Sequence, residues 1–424
     1  MLRVKAEEAP AGWRDAVRAE WERRRVGDAR ECSFPLMEST FEVGDIMAAV
    51  DALLSGQLTM ASCVKRFEEE FARYVGAPYA VMVNSGSSAN LLALSVASNP
   101  ARHRALQRGD EVLVPAVCWS TSVWPVVQMG LTPVFVDVDP RTLNVSLDDL
   151  RRKITPRTRA IVVVHVLGNA ADVAALCAVA TGHDLLVIED SCESLGTASH
   201  GRMVGTFGDF GTYSFYYSHH ITTGEGGMVV CRTPEDYDLL RCLRAHGWSR
   251  QLSNRAAVDA AYPDIDPRFV FVNVGYNVRP VEIQAALGSC QLRRLPQSNA
   301  ARIYNRDAVV AALLAHPRWD GRFRFVEAGD HCEPAWFGLS LLLDDHRERA
   351  SFLRALTERG VENRPVISGN FVRQPAWKLL GYDIDPAGFP GAEDIHRTGF
   401  FLGLQSHPLD PHRVDELAGI LLGV

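Results

Sequence analysis

The chain has 424 residues, which is long for a single hydrophobic core, and it is 47% hydrophobic and 22% charged, as in ordinary globular proteins. Its 44 basic and 51 acidic residues give a formal net charge of −7, which argues against a general nucleic-acid or anionic-membrane surface. We find no apolar run that could span a bilayer and no apolar signal core. Nine scattered cysteines predict free thiols and a reducing, cytoplasmic location.

Residues 1–34 form a polar extension, with a surface helix predicted from Ala11 to Arg25. Short apolar runs then alternate with helical patterns. Strands are predicted at Pro78–Val83, Glu111–Val114, Thr132–Val138, Ala160–Val166, Leu185–Glu189, Tyr213–Tyr217 and Met228–Cys231. Helices are predicted at Thr121–Gln128, Ser146–Lys153, Asp172–Ala180, Glu235–Ala245 and Pro280–Gly288. This βαβ rhythm predicts an α/β fold, in which helices flank a mostly parallel sheet.

The pattern changes after about residue 300. A long helix is predicted from Ala300 to Ala315, followed by an alternating strand, Phe337 to Leu343, and a helix from Glu348 to Arg359. These elements are typical of a small α+β domain. The sequence therefore predicts an extension over 1–34, a large domain over 35–295 and a small C-terminal domain over 296–424.

Two turns follow predicted strands and carry polar groups. In Asn84-Ser-Gly-Ser-Ser-Ala-Asn90, backbone N–H groups and serine hydroxyls at a helix start can bind an anion, and Gly86 allows close approach. A simply capped helix is the alternative. Asp190 ends a buried strand, where a carboxylate needs a cationic partner unless it caps the next helix. Trp119, also just after a strand, could belong to the core.

The stretch from Gly211 to Gly227 joins an apolar strand to a polar hinge and a glycine-rich turn. With the two turns above, it resembles the fold-type I aminotransferase superfamily, in its sugar-aminotransferase branch, over about residues 34–424. The resemblance implies a pyridoxal phosphate (PLP) site in a homodimer with shared active sites. It implies phosphate contacts by Gly86, Ser87, Ser88, Ser214 and a neighbouring subunit's Asn277, ring stacking by Trp119, an Asp190 partner for the pyridine nitrogen and Glu193 beside the ring hydroxyl.

In that superfamily a lysine six residues before the Glu of Gly224-Glu-Gly-Gly227 forms the Schiff base with PLP. His219 stands at this position, and none of the four lysines of the chain lies near it. The cofactor is therefore expected to bind without a covalent bond. An imidazole can still transfer protons near neutral pH, so His219 is the predicted catalytic base.

A small group of nucleotide-sugar C3 dehydratases carries this histidine. Four segments resemble those acting on GDP-4-keto-6-deoxy-D-mannose in the colitose pathway: Ser218-His-His-Ile221, Arg244-Ala-His-Gly-Trp248, Gly275-Tyr-Asn-Val-Arg-Pro280 and Arg364-Pro-Val-Ile-Ser-Gly-Asn-Phe371. The resemblance implies 3-deoxygenation of a nucleotide-linked 4-keto-6-deoxy sugar by pyridoxamine phosphate (PMP), which L-glutamate regenerates. Candidate substrate contacts are His220, His246, Arg250, Arg279 and Arg364; the arginines could equally be surface or interface residues.

A sister dehydratase carries a [2Fe–2S] cluster. When the spacing of its four cluster cysteines is applied to this sequence from Cys192, the other three positions are Arg250, Leu252 and Ala260. We therefore expect no cluster and no metal here. Three other functions stay open: a dehydratase for another activated or antibiotic-type sugar, a sugar aminotransferase, and a non-catalytic protein that binds sugar nucleotides. The missing lysine disfavours the aminotransferase, and retention of Asp190 and Glu193 disfavours mere binding.

Overall fold

The structure is a computed structural model that describes residues 12–25, 32–38 and 40–423. The helices of these residues are α1 Gly12–Arg25, α2 Val43–Leu54, α3 Ser62–Val75, α4 Gly86–Ala97, α5 Ser120–Gln128, α6 Leu147–Lys153, α7 Val173–Gly182, α8 Pro234–Arg244, α9 Arg255–Ala261, α10 Glu282–Ala315, α11 Arg349–Glu358, α12 Ala376–Leu379, α13 Pro390–Thr398 and α14 Pro411–Leu421. Apart from α1 and residues 32–34, the predicted extension lies outside the described residues.

The strands are β1 Tyr79–Val83, β2 Glu111–Pro115, β3 Thr132–Val136, β4 Thr158–Val164, β5 Leu186–Asp190, β6 Ala198–Ser199, β7 Arg202–Met203, β8 Phe210–Ser214, β9 Gly227–Cys231, β10 Phe323–Phe325, β11 Cys332–Glu333, β12 Gly338–Leu343, β13 Asn363–Arg364 and β14 Gly399–Gly403. Seven of them form one sheet in the order β1-β9-β8-β5-β4-β2-β3, in which β9 runs antiparallel to the other six strands. The predicted mostly parallel sheet with flanking helices is therefore confirmed.

The central strands are apolar because both faces of the sheet are covered. Along β2, Val112 and Val114 pack into one core, and Leu113 packs into the core on the opposite face. Side chains of a strand alternate between faces, so a short run of consecutive apolar residues serves two cores at once. The two cores hold the carboxyl ends of the parallel strands in place.

The C-terminal part contains a four-stranded antiparallel sheet in the order β10-β12-β14-β13. No loop separates this sheet's part of the chain from the large sheet at the predicted boundary, because a continuous helix crosses it. The helices predicted at Pro280–Gly288 and Ala300–Ala315 are parts of one 34-residue helix, α10, which contains Pro296. A proline removes one helical hydrogen bond, but Leu292 and Leu295 are buried on this helix and their packing outweighs that loss. The predicted domain boundary at 295 falls inside α10, and the division of domains there stays a prediction.

The strand predicted at Tyr213–Tyr217 ends earlier, because β8 stops at Ser214. The hydroxyl of Ser214 accepts a hydrogen bond from the backbone N–H of Tyr216 at 3.2 Å, and the N–H of His219 donates to the carbonyl of Tyr216 at 3.0 Å. These local bonds turn the chain away from the sheet. In the part of the chain that the structure describes, no helix has the length and apolar character needed to cross a membrane.

Candidate active site

A cavity of about 460 Å³ lies at the carboxyl ends of β5 and β8, against the C-terminal part of the chain. Parallel sheets commonly bind ligands at this edge. Eight of the predicted site residues line the cavity: Gly86, Ser87, Trp119, Asp190, Glu193, Ser214, His219 and Arg364. The other predicted residues, Ser88, His220, His246, Arg250, Asn277 and Arg279, are not among its lining residues.

The start of α4 forms the floor of one end of the cavity. The hydroxyl of Ser85 caps this helix by accepting a hydrogen bond from the N–H of Ser88 at 3.1 Å. A Cβ atom on Gly86 would lie 2.5 Å from Cβ of Ser214, so only glycine lets the helix start pack against the end of β8. Ser88 uses its hydroxyl to accept a hydrogen bond from Ser85 at 3.0 Å and stays outside the cavity. Ser85, which belongs to the predicted anion-binding turn but was not among the named phosphate contacts, lines the cavity instead.

Asp190 is the last residue of β5 and is 4% exposed. Its Oδ2 accepts hydrogen bonds from the hydroxyl of Ser122 at 2.7 Å and the amide of Asn90 at 2.8 Å. The N–H of Cys192 donates to Oδ1 at 3.2 Å. The alternative that Asp190 caps a following helix is wrong, because irregular turns lead from β5 to β6. Three donors thus orient a buried carboxylate whose edge faces the cavity.

Glu193 lies beside Asp190 on the wall of the cavity and accepts a hydrogen bond from the N–H of Leu167 at 3.2 Å. Burial raises the pKa of Glu193 to about 8, against the lowering effect of the Leu167 bond, and the negative charge of Asp190 adds to the rise. Near neutral pH this carboxyl group is therefore mostly protonated, and it can donate a hydrogen bond to a ligand.

His219 reaches the cavity from the turn after β8, where its ring lies edge-on to Tyr216 and Phe337 with centroids 5.9 and 5.4 Å away. Its Nδ1 is buried and has no hydrogen-bond partner among the described residues. Burial lowers the pKa of His219 to about 4, and the positive charge of Arg302 contributes. A neutral imidazole with a free ring nitrogen can accept a proton.

His220 points away from the cavity. It is 2% exposed, and its Nε2 donates to the carbonyl of Ala335 at 2.7 Å. Of the two histidines only His219 lines the cavity, but the chain here is a turn and not the extended strand from which we expected alternating side chains. The predicted substrate contact of His220 gains no support from its position, and a packing role fits its burial.

Trp119 and Arg364 frame the mouth of the cavity. Trp119 precedes α5 and is 56% exposed, so it is not a core residue. Arg364, in β13, is also exposed and donates to the carbonyl of Asn363 at 2.9 Å, which leaves most of its guanidinium N–H groups open to the cavity. An aromatic face and a cation at the entrance suit a large, anionic ligand.

His246, Arg250, Asn277 and Arg279 share another surface of the same chain. Ala245 and Asn277 form a β-bridge, and Nε of Arg279 donates to Oδ1 of Asn277 at 2.8 Å. The guanidinium of Arg250 lies 4.5 Å from the ring centroid of Trp248. His246, Arg250 and Asn277 are exposed in the single chain. None of the four lines the cavity of its own chain, so their predicted ligand contacts stay predictions.

Arg302 is the main residue of the cavity that the sequence analysis missed. It lies on α10 and lines the cavity, although only 5% of it is exposed. Its Nε has no partner among the described residues. Burial lowers the pKa of Arg302 to about 10. In the sequence, Asn299-Ala-Ala-Arg302 has the pattern of an ordinary helical surface. No sequence motif indicates that the side chain of Arg302 is buried.

The fold and this cavity define an α/β protein of the PLP-dependent aminotransferase type. The family model described as DegT/DnrJ/EryC1/StrS aminotransferase family matches residues 42–421, and the chain belongs to this family.

The relatives and solved structures agree with this membership. A GDP-4-keto-6-deoxy-D-mannose 3-dehydratase of Yersinia pseudotuberculosis is 40% identical over 89% of this chain and 95% of its own. A dTDP-4-dehydro-2,6-dideoxy-D-glucose 3-dehydratase of Saccharopolyspora spinosa is 37% identical over 81% and 76%. A crystal structure of GDP-4-keto-6-deoxymannose-3-dehydratase with a trapped PLP-glutamate geminal diamine matches with a TM-score of 0.83, at 36% identity over 92% and 100% of the two chains.

Proposed function

We propose that this protein is a PLP/PMP-dependent sugar dehydratase that removes the C3 hydroxyl of a nucleotide-linked 4-keto-6-deoxy sugar, with GDP-4-keto-6-deoxy-D-mannose as the substrate. The single observation that carries the proposal is the histidine in place of lysine, whose side chain lines the cavity. Without a lysine amine the chain cannot hold the cofactor covalently, but it keeps a group that can move a proton.

The residues of the cavity fit the cofactor. The helix start at Ser85, Gly86 and Ser87, next to Ser214, offers N–H and hydroxyl donors to a phosphate. Asp190, oriented by Ser122 and Asn90, is placed to pair with a protonated pyridine nitrogen. Trp119 offers a face for stacking. When bound, PMP supplies an amine that condenses with a ketone and a ring that accepts the electrons of a deprotonated carbon.

The chain's own residues then have distinct tasks. His219 accepts a proton at the ring nitrogen that faces the ligand and can return it to the leaving hydroxyl, because its lowered pKa keeps it neutral until the reaction charges it. Glu193, protonated near neutral pH, donates a hydrogen bond to a ring oxygen of the ligand. Phe337 and Tyr216 limit the access of water to His219. The overall reaction exchanges the C3 hydroxyl for hydrogen, and glutamate supplies the amine that is lost as ammonia.

We also propose a homodimer in which Asn277 and Arg279 of each chain complete the other chain's phosphate site, and in which His246 and Arg250 contact its substrate. The support is their common exposed surface, which carries Phe269, Phe271 and Val274 as exposed apolar neighbours. An unpartnered apolar surface of this kind is typical of an interface. For its location we propose the cytoplasm, because all nine cysteines are free thiols.

One relative favours a second substrate. The Saccharopolyspora spinosa protein is named for a dTDP-linked 2,6-dideoxy sugar, and nothing in the motifs of this chain specifies the nucleotide. Steady-state assays with both nucleotide sugars and L-glutamate separate the two. We expect the GDP sugar to give the higher kcat/KM; a preference for the dTDP sugar would transfer the proposal to the second substrate. Failure with both, in protein that binds PLP, would exclude the dehydratase for these substrates.

A further inference from the structure

Arg302 carries a charge that the described part of the chain does not neutralise. It projects from α10 into the cavity, it is 5% exposed, and its Nε lacks a hydrogen-bond partner there. The neighbouring arginine Arg294 on the same helix is ion-paired with Asp45 at 2.6 Å, and Arg306 with Asp307 at 2.9 Å. A buried cation without a carboxylate is expensive, and such a group is usually kept because a ligand supplies the anion.

The position of Arg302 limits what that anion can be. Arg302 lines the same cavity as His219, and its positive charge acts on the His219 ring, so we place it near the predicted catalytic base. The predicted phosphate end is formed by other elements, the start of α4 and the end of β8. The diphosphate of a nucleotide sugar is large and hydrated, and exposed Arg364 at the mouth suits it better. A buried guanidinium near the reacting atoms suits a small planar anion, which it can bind with two parallel hydrogen bonds.

We propose that Arg302 binds a carboxylate group of the amino donor, an amino dicarboxylic acid of the glutamate type. The proposal rests on the proposed function in needing an amino donor, but it does not depend on which sugar is dehydrated. The same cavity then serves two substrates in turn: Arg302 recognises the amino acid, and Arg364 serves the nucleotide sugar. The positive charge of Arg302 also discourages protonation of His219 while no donor carboxylate is bound.

Glutarate, which has both carboxylates of glutamate and no amine, is the probe. Its binding to the PLP-loaded protein is measured by calorimetry for wild type, Arg302→Gln, Arg302→Lys and Arg306→Gln. Arg306 lies one turn further along α10, outside the cavity, and provides the matched control. We expect Arg302→Gln to weaken glutarate binding about 100-fold, Arg302→Lys to recover part of it, and Arg306→Gln to bind as wild type.

The two half-reactions give the second readout. In Arg302→Gln, the KM for L-glutamate in converting bound PLP to PMP should rise about 100-fold, whereas a single turnover of sugar by protein loaded with PMP should stay within about threefold. Unchanged glutarate binding in Arg302→Gln would overturn the proposal. So would loss of PLP itself, a selective loss of the sugar half-reaction, or an equal fall of both half-reactions with a shifted pH profile. If wild type is aminated by glutamate but dehydrates no sugar, the proposed function fails while Arg302 retains its role.

Discussion

Asn90 donates a hydrogen bond from Nδ2 to Oδ2 of Asp190 at 2.8 Å, which ties α4 to the end of β5. Oδ1 of Asn90 in turn accepts a hydrogen bond from the hydroxyl of Thr212, in β8, at 2.6 Å. Three adjacent elements of the site are therefore linked by buried hydrogen bonds. Such a chain of bonds keeps the carboxylate in one orientation before a ligand arrives.

Asp190→Asn should reduce kcat by about 100-fold or more, since an amide cannot pair ionically with a protonated pyridine nitrogen. The side chains have the same size, and an amide oxygen can still accept from Ser122 and Asn90. The melting temperature should therefore stay within a few degrees of wild type. Activity within a few-fold of wild type would show that the ring nitrogen has another partner. Ser122→Ala, which removes one donor only, is the milder control.

His219→Asn should abolish dehydration while PMP still binds, because it removes the ring nitrogen that accepts the proton. His220→Asn should act on stability instead. It breaks a buried hydrogen bond to Ala335, at a cost of about 1–3 kcal/mol in the free energy of unfolding, and should leave kcat within a few-fold. Single-turnover kinetics and thermal melting of both variants provide the check. Equal loss of kcat in two folded variants would contradict the division of roles.

His219→Lys tests the same position from the other direction. The amine should form a covalent bond with PLP, seen as a shift of cofactor absorption that borohydride traps on the protein. His220→Lys is the matched control, because the side chain at 220 points away from the cavity. Trapping at 220 and not at 219 would show that the two residues have been assigned the wrong way round.

Glu193 should make the stability of the protein depend on pH. Its pKa is about 8 in the folded protein against an ordinary 4.5, so between these values the folded state holds a proton that the unfolded state has lost. The contribution to stability is full below pH 4.5 and is lost as the pH rises to about 8. Glu193→Gln removes this slope. The melting temperature of wild type relative to the variant should fall across that interval, and parallel curves would contradict the assignment.

Asn277→Ala should weaken cofactor retention, although Asn277 does not line the cavity of its own chain, because we propose that it completes the site of the partner chain. Mixed dimers make the test sharp: His219→Asn and Asn277→Ala are each poorly active alone, but a mixed dimer carries both changes in one shared site and neither in the other. Refolding or coexpressing the pair should restore about half of the wild-type activity per mixed dimer. No recovery in verified mixed dimers, or a fully active monomer, would contradict the shared sites.

The sequence revealed the sheet because strands and helices depend on local patterns, and the family resemblance supplied the eight lining residues. Val112 to Val114 are apolar in sequence, and the Asn84–Asn90 turn shows its glycine and serines directly. Ser122, Asn90 and Arg302 could not be found in this way. Their roles arise from contacts between elements far apart in the chain, and a buried helical arginine has the same local pattern as an exposed one. The continuity of α10 through Pro296 also depends on packing. A proline in the sequence predicts a helix break but says nothing about the packing that overcomes it.

The most direct test of the dehydratase is a single turnover in the absence of glutamate. Protein loaded with PMP is mixed with GDP-4-keto-6-deoxy-D-mannose, and the products are analysed by mass spectrometry together with an ammonia assay. We predict one 3-deoxy-4-keto sugar and one ammonia per active site, with bound PLP left behind. An amino sugar that keeps its C3 hydroxyl, with no ammonia released, would show an aminotransferase and contradict the account.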